Sequence, residues 1–208
     1  PTLAFQVAPR TSLRAGFEYF HDERTADRGV PSFQGRPLAV AAETFFGDPA
    51  QSNTHTTVRA FNAALHHDFG HGLTLRNTSR LADYDKFYQN VFPGAVSAAG
   101  TTVALSAYNN GTDRKNFFNQ TDLVYTTGTG RIEHVILLGL ELGRQETDNL
   151  RNTGYFTAVS PTTTSVSVPV SNPRYTLPVT SQPSATDNTN HGAAASAAIN
   201  PQAQDTPP

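Results

Sequence analysis

The sequence predicts an all-β chain: an antiparallel meander forming one arc of a transmembrane β-barrel wall. Three observations carry this. Six segments alternate polar and apolar residues with a period of two, as strands with one apolar face do. The connections between them run short, long, short, long, short, long, so tight turns gather at one end of the sheet and large loops at the other. A strand of about 11 residues, at about 3.4 Å each and tilted by about 45°, rises about 26 Å, close to the apolar band of an outer-membrane barrel.

The predicted strands are Thr2 to Val7, Ser12 to Glu23, Thr56 to Phe69, Leu73 to Tyr88, Arg114 to Thr126 and Arg131 to Thr147. The first sets Leu3, Phe5 and Val7 against Thr2, Ala4 and Gln6. The second sets Leu13, Ala15, Phe17 and Tyr19 against Arg14, Gly16, Glu18 and Asp22. In the third, Phe61, Ala63, Leu65 and Phe69 share a side. The fourth is mixed, because Leu73, Leu75 and Leu81 share their face with Asn77, Ser79 and Asp83. The sixth is clearest, with Ile132, Ile136, Leu138, Leu140 and Leu142 on one face, His134 among them, and Glu133, Gly139, Glu141 and Gly143 on the other with Val135 and Leu137. Tight turns are expected at Ala8-Pro9-Arg10-Thr11, Gly70-His71-Gly72 and Thr127-Gly128-Thr129-Gly130, where Pro and Gly supply the backbone angles. Long connections are expected from Arg24 to His55, from Gln89 to Asp113 and after Asp148. Tyr19, Tyr84 and Tyr125 lie where an interfacial aromatic girdle would sit. Val166, Val168 and Val170 suggest a short loop hairpin, and disorder is expected from Ser184 onward. The chain thus divides into a wall region, residues 1–156, and a long extracellular loop with a low-complexity end, residues 157–208.

Composition narrows function. The 15 Lys+Arg against 17 Asp+Glu leave no basic excess, which argues against a nucleic-acid partner. No Cys is present, which removes thiolate metal sites and cysteine nucleophiles. The longest apolar run, Val135 to Leu140, is far shorter than the roughly 20 residues of a spanning helix. His66-His67-Asp68 with His71 resembles a metal cluster, but adjacent strand residues point to opposite faces, so interfacial polar side chains are the expectation. No nucleophile motif or phosphate loop is evident; no enzyme activity and no cofactor are expected.

The loops hold the more informative residues. Arg24, Arg28 and Arg36 stand with Phe33, Phe45 and Phe46, and the next segment adds Tyr84, Lys86, Phe87, Tyr88 and Phe92. Guanidinium groups beside aromatic rings suit an anionic aromatic ligand, offering forked donors and stacking faces. The plainer alternative is that these rings pack the loops together. Arg28, Phe33, Arg36, Tyr84 and Tyr88 are the candidate ligand-binding residues.

Asp27-Arg28-Gly29-Val30-Pro31-Ser32-Phe33-Gln34-Gly35-Arg36-Pro37, followed by Thr44-Phe45-Phe46-Gly47-Asp48, resembles the first long extracellular loop of TonB-dependent siderophore receptors of the catecholate type. Leu73 to Asn77 and Tyr84 to Pro93 resemble the wall and loop that follow, and Glu146 to Phe156 the exit of a later strand. The resemblance implies a 22-stranded outer-membrane barrel around an N-terminal plug, binding a ferric siderophore from outside and importing it with energy from TonB. This chain shows neither plug nor TonB box, and six strands are too few to close a barrel, so an incomplete receptor is expected. Its partners would be a ferric siderophore, the TonB complex and outer-membrane lipid. A different TonB-dependent cargo, or a soluble β-rich surface or adhesion module, are the alternatives.

Overall fold

The computed structural model describes residues 1–183 and 190–206. One antiparallel sheet dominates. In chain order its strands are β1 (Thr2–Ala8), β2 (Thr11–Thr25), β5 (Asn53–Gly70), β6 (Leu73–Val96), β7 (Thr102–Thr129) and β8 (Ile132–Tyr155). Between β2 and β5 the chain forms a small hairpin of β3 (Ser32–Phe33) and β4 (Arg36–Pro37), then a 3₁₀ turn at Pro49–Gln51. Beyond β8 come β9 (Ser165–Pro169), β10 (Thr180–Gln182) and β11 (Asn190–Thr206). Neighbouring wall strands follow one another as a meander, β1-β2-β5-β6-β7-β8.

The three tight turns stand where Gly and Pro place them. At the β5–β6 turn His71 and Gly72 both have positive φ, 54° and 81°, which suits the twist of a two-residue hairpin. A Cβ at Gly72 would lie 2.0 Å from the Thr126 carbonyl oxygen, so the neighbouring strand also requires glycine there.

The register sorts the side chains cleanly. Opposed residues in an antiparallel pair share a face. The rows Phe17, Phe61, Leu81, Phe117 and Leu13, Leu65, Asn77, Thr121, Leu140 run across one face. The rows Arg14, Ala64, Thr78, Gln120, Glu141 and Ser12, His66, Arg76, Asp122, Gly139 run across the other. Large apolar side chains stay exposed on the first face: Phe17 at 46%, Phe61 at 46%, Leu81 at 52%. A single sheet with one such face is stable only against an apolar medium.

The mixed pattern of β6 has a physical resolution. Asn77, Ser79, Asn119 and Thr121 meet in the middle of the apolar face and satisfy one another. Asn77 Nδ2 donates to Thr121 Oγ1 at 2.7 Å and to Asn119 Oδ1 at 3.2 Å, and Asn119 Nδ2 donates to Ser79 Oγ at 2.7 Å. An unpaired amide in hydrocarbon costs several kcal/mol, so the four residues are tolerable there only together.

Several expectations are corrected. The connection from Gln89 to Asp113 is mostly strand, because β6 and β7 run on together to a tip at residues 97–101. At 28 residues β7 spans about 95 Å, well over twice what the band needs. Tyr84 lies on the polar face, opposite Val58 and Arg114, so it takes no part in an interfacial girdle; Tyr19 and Tyr125 are on the apolar face. The valines near 168 do not form a hairpin: β9 pairs with β7 at Thr102–Ser106, continuing the edge that β8 leaves at Tyr108. The expected disorder from Ser184 lies outside the described residues at 184–189 and 207–208. At 190–206 a strand stands instead, β11, in unbroken register with β8 from Asn149 to Glu133. Hydrogen bonding along the open edge of β8 orders a segment whose composition carries no strand signal.

Beyond the band the loops build a conventional core. Leu38, Phe46, Val91, Val103, Leu105, Ala107, Phe156, Val168 and Tyr175 are buried together. The first loop and the segment after β8 are clasped at Gly47, whose N–H donates to the Pro173 carbonyl and whose carbonyl accepts from Tyr175 N–H. The Gln51 side chain ties the same two segments through Leu177 O and Val179 N–H.

Candidate functional site

Above the band the polar face carries an aromatic and cationic cluster. The pairings Tyr88–Asn110, Asn90–Tyr108 and Asn110–Arg151 put Tyr88, Tyr108 and Arg151 on one side of the extended β6–β7–β8 sheet. Phe92 follows two positions beyond Asn90 on the same face. Arg28, from the first loop, reaches across them. Its Nε donates to Tyr88 Oη at 3.2 Å and its Nη2 to Tyr108 Oη at 2.6 Å. The guanidinium carbon lies 4.0 Å from the Phe92 ring centroid, and that of Arg151 lies 3.9 Å from the Tyr108 centroid. Tyr108 is therefore flanked by two guanidiniums, since Arg28 also approaches it at 5.2 Å.

The loop backbone holds Arg28 in place. Asp27 Oδ1 accepts from Gly29 N–H, closing the turn around Arg28, and the buried Asn90 amide donates to Ala26 O at 2.6 Å. Desolvation works against the Arg28 charge, yet hydrogen bonds and charge interaction with Tyr88 and Tyr108 outweigh it and raise its pKa above the ordinary value. Chemically, the cluster offers two fixed positive charges, π faces, and phenol hydroxyls that already accept from arginine and remain free to donate. It suits a planar anion.

The five expected residues separate into groups. Arg28 and Tyr88 touch. Tyr84 shares their face but sits four residues lower on β6, about 13 Å away, below Lys86, whose Nζ is 5.8 Å from its ring centroid. Phe33 is half-buried, packed against the loop core, with its ring over Gly100 at the β6–β7 tip. Arg36 is exposed in the β3–β4 hairpin opposite Phe33. Phe92, Tyr108 and Arg151 complete the cluster without having been selected. Phe92 was visible as a neighbouring aromatic; Tyr108 and Arg151 required the register, because they come from two later strands.

His66 and His67 face opposite sides of β5, and Thr11 Oγ1 and His67 Nδ1 share a hydrogen bond at 2.7 Å. The segment between β2 and β5 and the segment after Tyr155 cover the extended strands, and of these two segments only the first supplies a residue, Arg28, to the cluster.

No family model matches the chain. Among curated proteins it is similar to the metal-pseudopaline receptor CntO of Pseudomonas aeruginosa, 24% identical over an alignment of 157 residues that covers 72% of this chain and 21% of that protein. The chain thus spans about a fifth of the length of the curated relatives it matches. Among solved structures it is similar to the siderophore receptor PiuA of Acinetobacter baumannii, with a TM-score of 0.70 and 20% identity over 99% of this chain and 32% of that one. It is also similar to the open form of the ferric-catecholate import receptor Fiu of E. coli, with a TM-score of 0.62 and 21% identity over 72% of this chain and 26% of that one. In such a barrel the apolar face is the one that meets lipid and the polar face lines the interior. In fold, this chain is similar to an arc of the barrel wall of these two receptors together with its loop-end extensions.

Proposed function

We propose that this chain is a segment of an outer-membrane receptor for TonB-dependent uptake of ferric siderophores, with the loop-end cluster as part of the capture site. The observation that carries this is the convergence of Arg28 and Arg151 on Tyr88, Phe92 and Tyr108, on the polar face above the band. A ferric catecholate is anionic and aromatic. Guanidiniums offset its charge and the rings stack on its catechol planes. Iron arrives chelated, so no ligand atoms from the protein are needed. Arg28 and Tyr88 are the strongest contacts in this proposal; Tyr84 would meet cargo lower in the interior, and Phe33 and Arg36 would act at the loop rim.

The test is equilibrium binding of a ferric triscatecholate, and of a neutral ferric hydroxamate, to outer membranes carrying the receptor that contains this segment. Arg28→Ala is expected to weaken the catecholate about tenfold, on the order of 1.4 kcal/mol, and to leave the hydroxamate unchanged. Equal affinity of wild type and Arg28→Ala for the catecholate would reject the site.

A second cargo reading, a different metal complex, draws support from the likeness to the metal-pseudopaline receptor. An anionic complex without aromatic rings would use the same guanidiniums without stacking, so Tyr108→Leu would then leave binding unchanged. A soluble surface module is disfavoured by the continuous apolar face, where Leu138, Leu140 and Leu142 stay exposed beside Phe117.

A further inference from the structure

The polar face has a second concentration of positive charge, far below the loop cluster and close to the tight turns. There a hollow of about 270 Å³ opens between β1, β2, β5 and β6. Its floor is made of small residues, Ala4, Ala64 and Thr78, and its rim of Ser12, Arg14, His66 and Arg76. The register explains the concavity. Ala4, Arg14, Ala64 and Thr78 form one row, and Ser12, His66 and Arg76 the row beneath. Two adjacent short side chains leave space that the long ones on either side lean over.

Four other arginines of the wall are ion-paired, and Arg114 donates to Thr147 Oγ1. Arg24 pairs with Asp22, Arg59 with Asp83, Arg80 with Glu18 and Arg144 with Glu146. Among the described residues Arg14 and Arg76 have no ion pair. The acid nearest in register, Asp122, lies opposite Arg76 on β7 but its carboxylate accepts from Gln120 Nε2 at 3.1 and 3.3 Å. Two guanidiniums, with an imidazole and a hydroxyl that can each donate, make the hollow rich in donors and free of carboxylates, the chemistry that recognises a carboxylate or phosphate.

We propose that this hollow is an oxyanion-binding site, with Arg14 and Arg76 as the paired cationic donors and His66 and Ser12 Oγ as the flanking ones. The oxyanion belongs either to a solute in the barrel interior or to an acidic side chain of polypeptide lying against this wall. The proposal needs only the polar face and is independent of what binds at the loop end.

Two measurements on the intact protein in detergent micelles test it. The first follows the Arg14 and Arg76 Nε–H resonances while inorganic phosphate is added. Saturable shifts of both, with about tenfold weaker binding in Arg14→Gln and in Arg76→Gln, identify a solute site. The second compares thermal unfolding of wild type, Arg14→Gln, Arg76→Gln and the double variant at low and high salt. A loss of several degrees that high salt abolishes, without a phosphate response, identifies an internal carboxylate. Arg59→Gln, on the opposite face, is the control. Neither response, or the same response in Arg59→Gln, overturns the proposal.

Discussion

The wall and the loop cap of this chain use apolar residues in opposite ways. In the wall, Phe17, Phe61, Leu81 and Leu140 stand 38–52% exposed on a single sheet, with no second layer over them among the described residues. In the cap, Phe46, Val91, Val103, Leu105 and Phe156 are at most 1% exposed. The strands are continuous between the two regions: β6 contributes Leu81 to the wall and Val91 to the cap core. What changes is the medium. Where the sheet meets hydrocarbon, leaving the side chain out is favourable and no second layer is needed. Where it enters water, the same face must be covered, and the first loop and the segment after β8 do so.

The largest test of this contrast is in the cap. Phe46→Ala should destabilise the clasped loops by about 3–5 kcal/mol, because a closed core cannot fill the cavity. Hydrogen exchange should show loop amides opening while β5 to β8 in the band stay protected. Equal loss of protection in both regions would mean that cap and wall fold as one unit. Next comes the apolar face. Leu140→Arg, in the middle of the band, should cost about 2–4 kcal/mol in folding into lipid vesicles, whereas Gln120→Arg on the interior face should cost much less. A larger cost for Gln120→Arg would mean that the faces have been assigned the wrong way round, and equal costs that neither face alone meets lipid.

Smaller effects sharpen the join between the regions. Gly47 has φ of +120°, and a Cβ there would lie 1.9 Å from the Val91 carbonyl oxygen. Gly47→Ala should therefore weaken the clasp by about 1–3 kcal/mol, seen as faster exchange of the Tyr175 N–H. Smallest is Arg151→Ala, which removes one of the two guanidiniums on Tyr108. A loss of about threefold to tenfold in ferric-catecholate affinity is expected, with thermal stability unchanged. A drop in stability instead would make Arg151 a packing residue of the β7–β8 pair.

The meander, the tight turns and the two faces were all legible in the residues, because each rests on local chemistry. Period-two alternation reports which side of a strand meets an apolar medium, and Gly or Pro marks where the backbone must reverse. Arg28 and Tyr88 were legible by residue type. Strand ends were not: the polar stretch Gln89 to Asp113 looks like loop, yet cross-strand hydrogen bonding and the cap carry β6 and β7 through it. For the same reason Asn190–Thr206 has no strand signal of its own and is ordered along the edge of β8.

The sequence by itself therefore determined the class of fold, the faces of the strongly alternating strands and the end of the sheet that bears the loops. Tertiary structure alone decided which side chains meet. Tyr108 and Arg151 join Arg28 only because the register sets Tyr108 beside Asn90 and Arg151 beside Asn110. Phe33 joins the loop core because the first loop folds back onto the β6–β7 tip. The physical reason is range: alternation is written into every pair of neighbours, whereas a register shift of one residue would send each of these side chains to the other face.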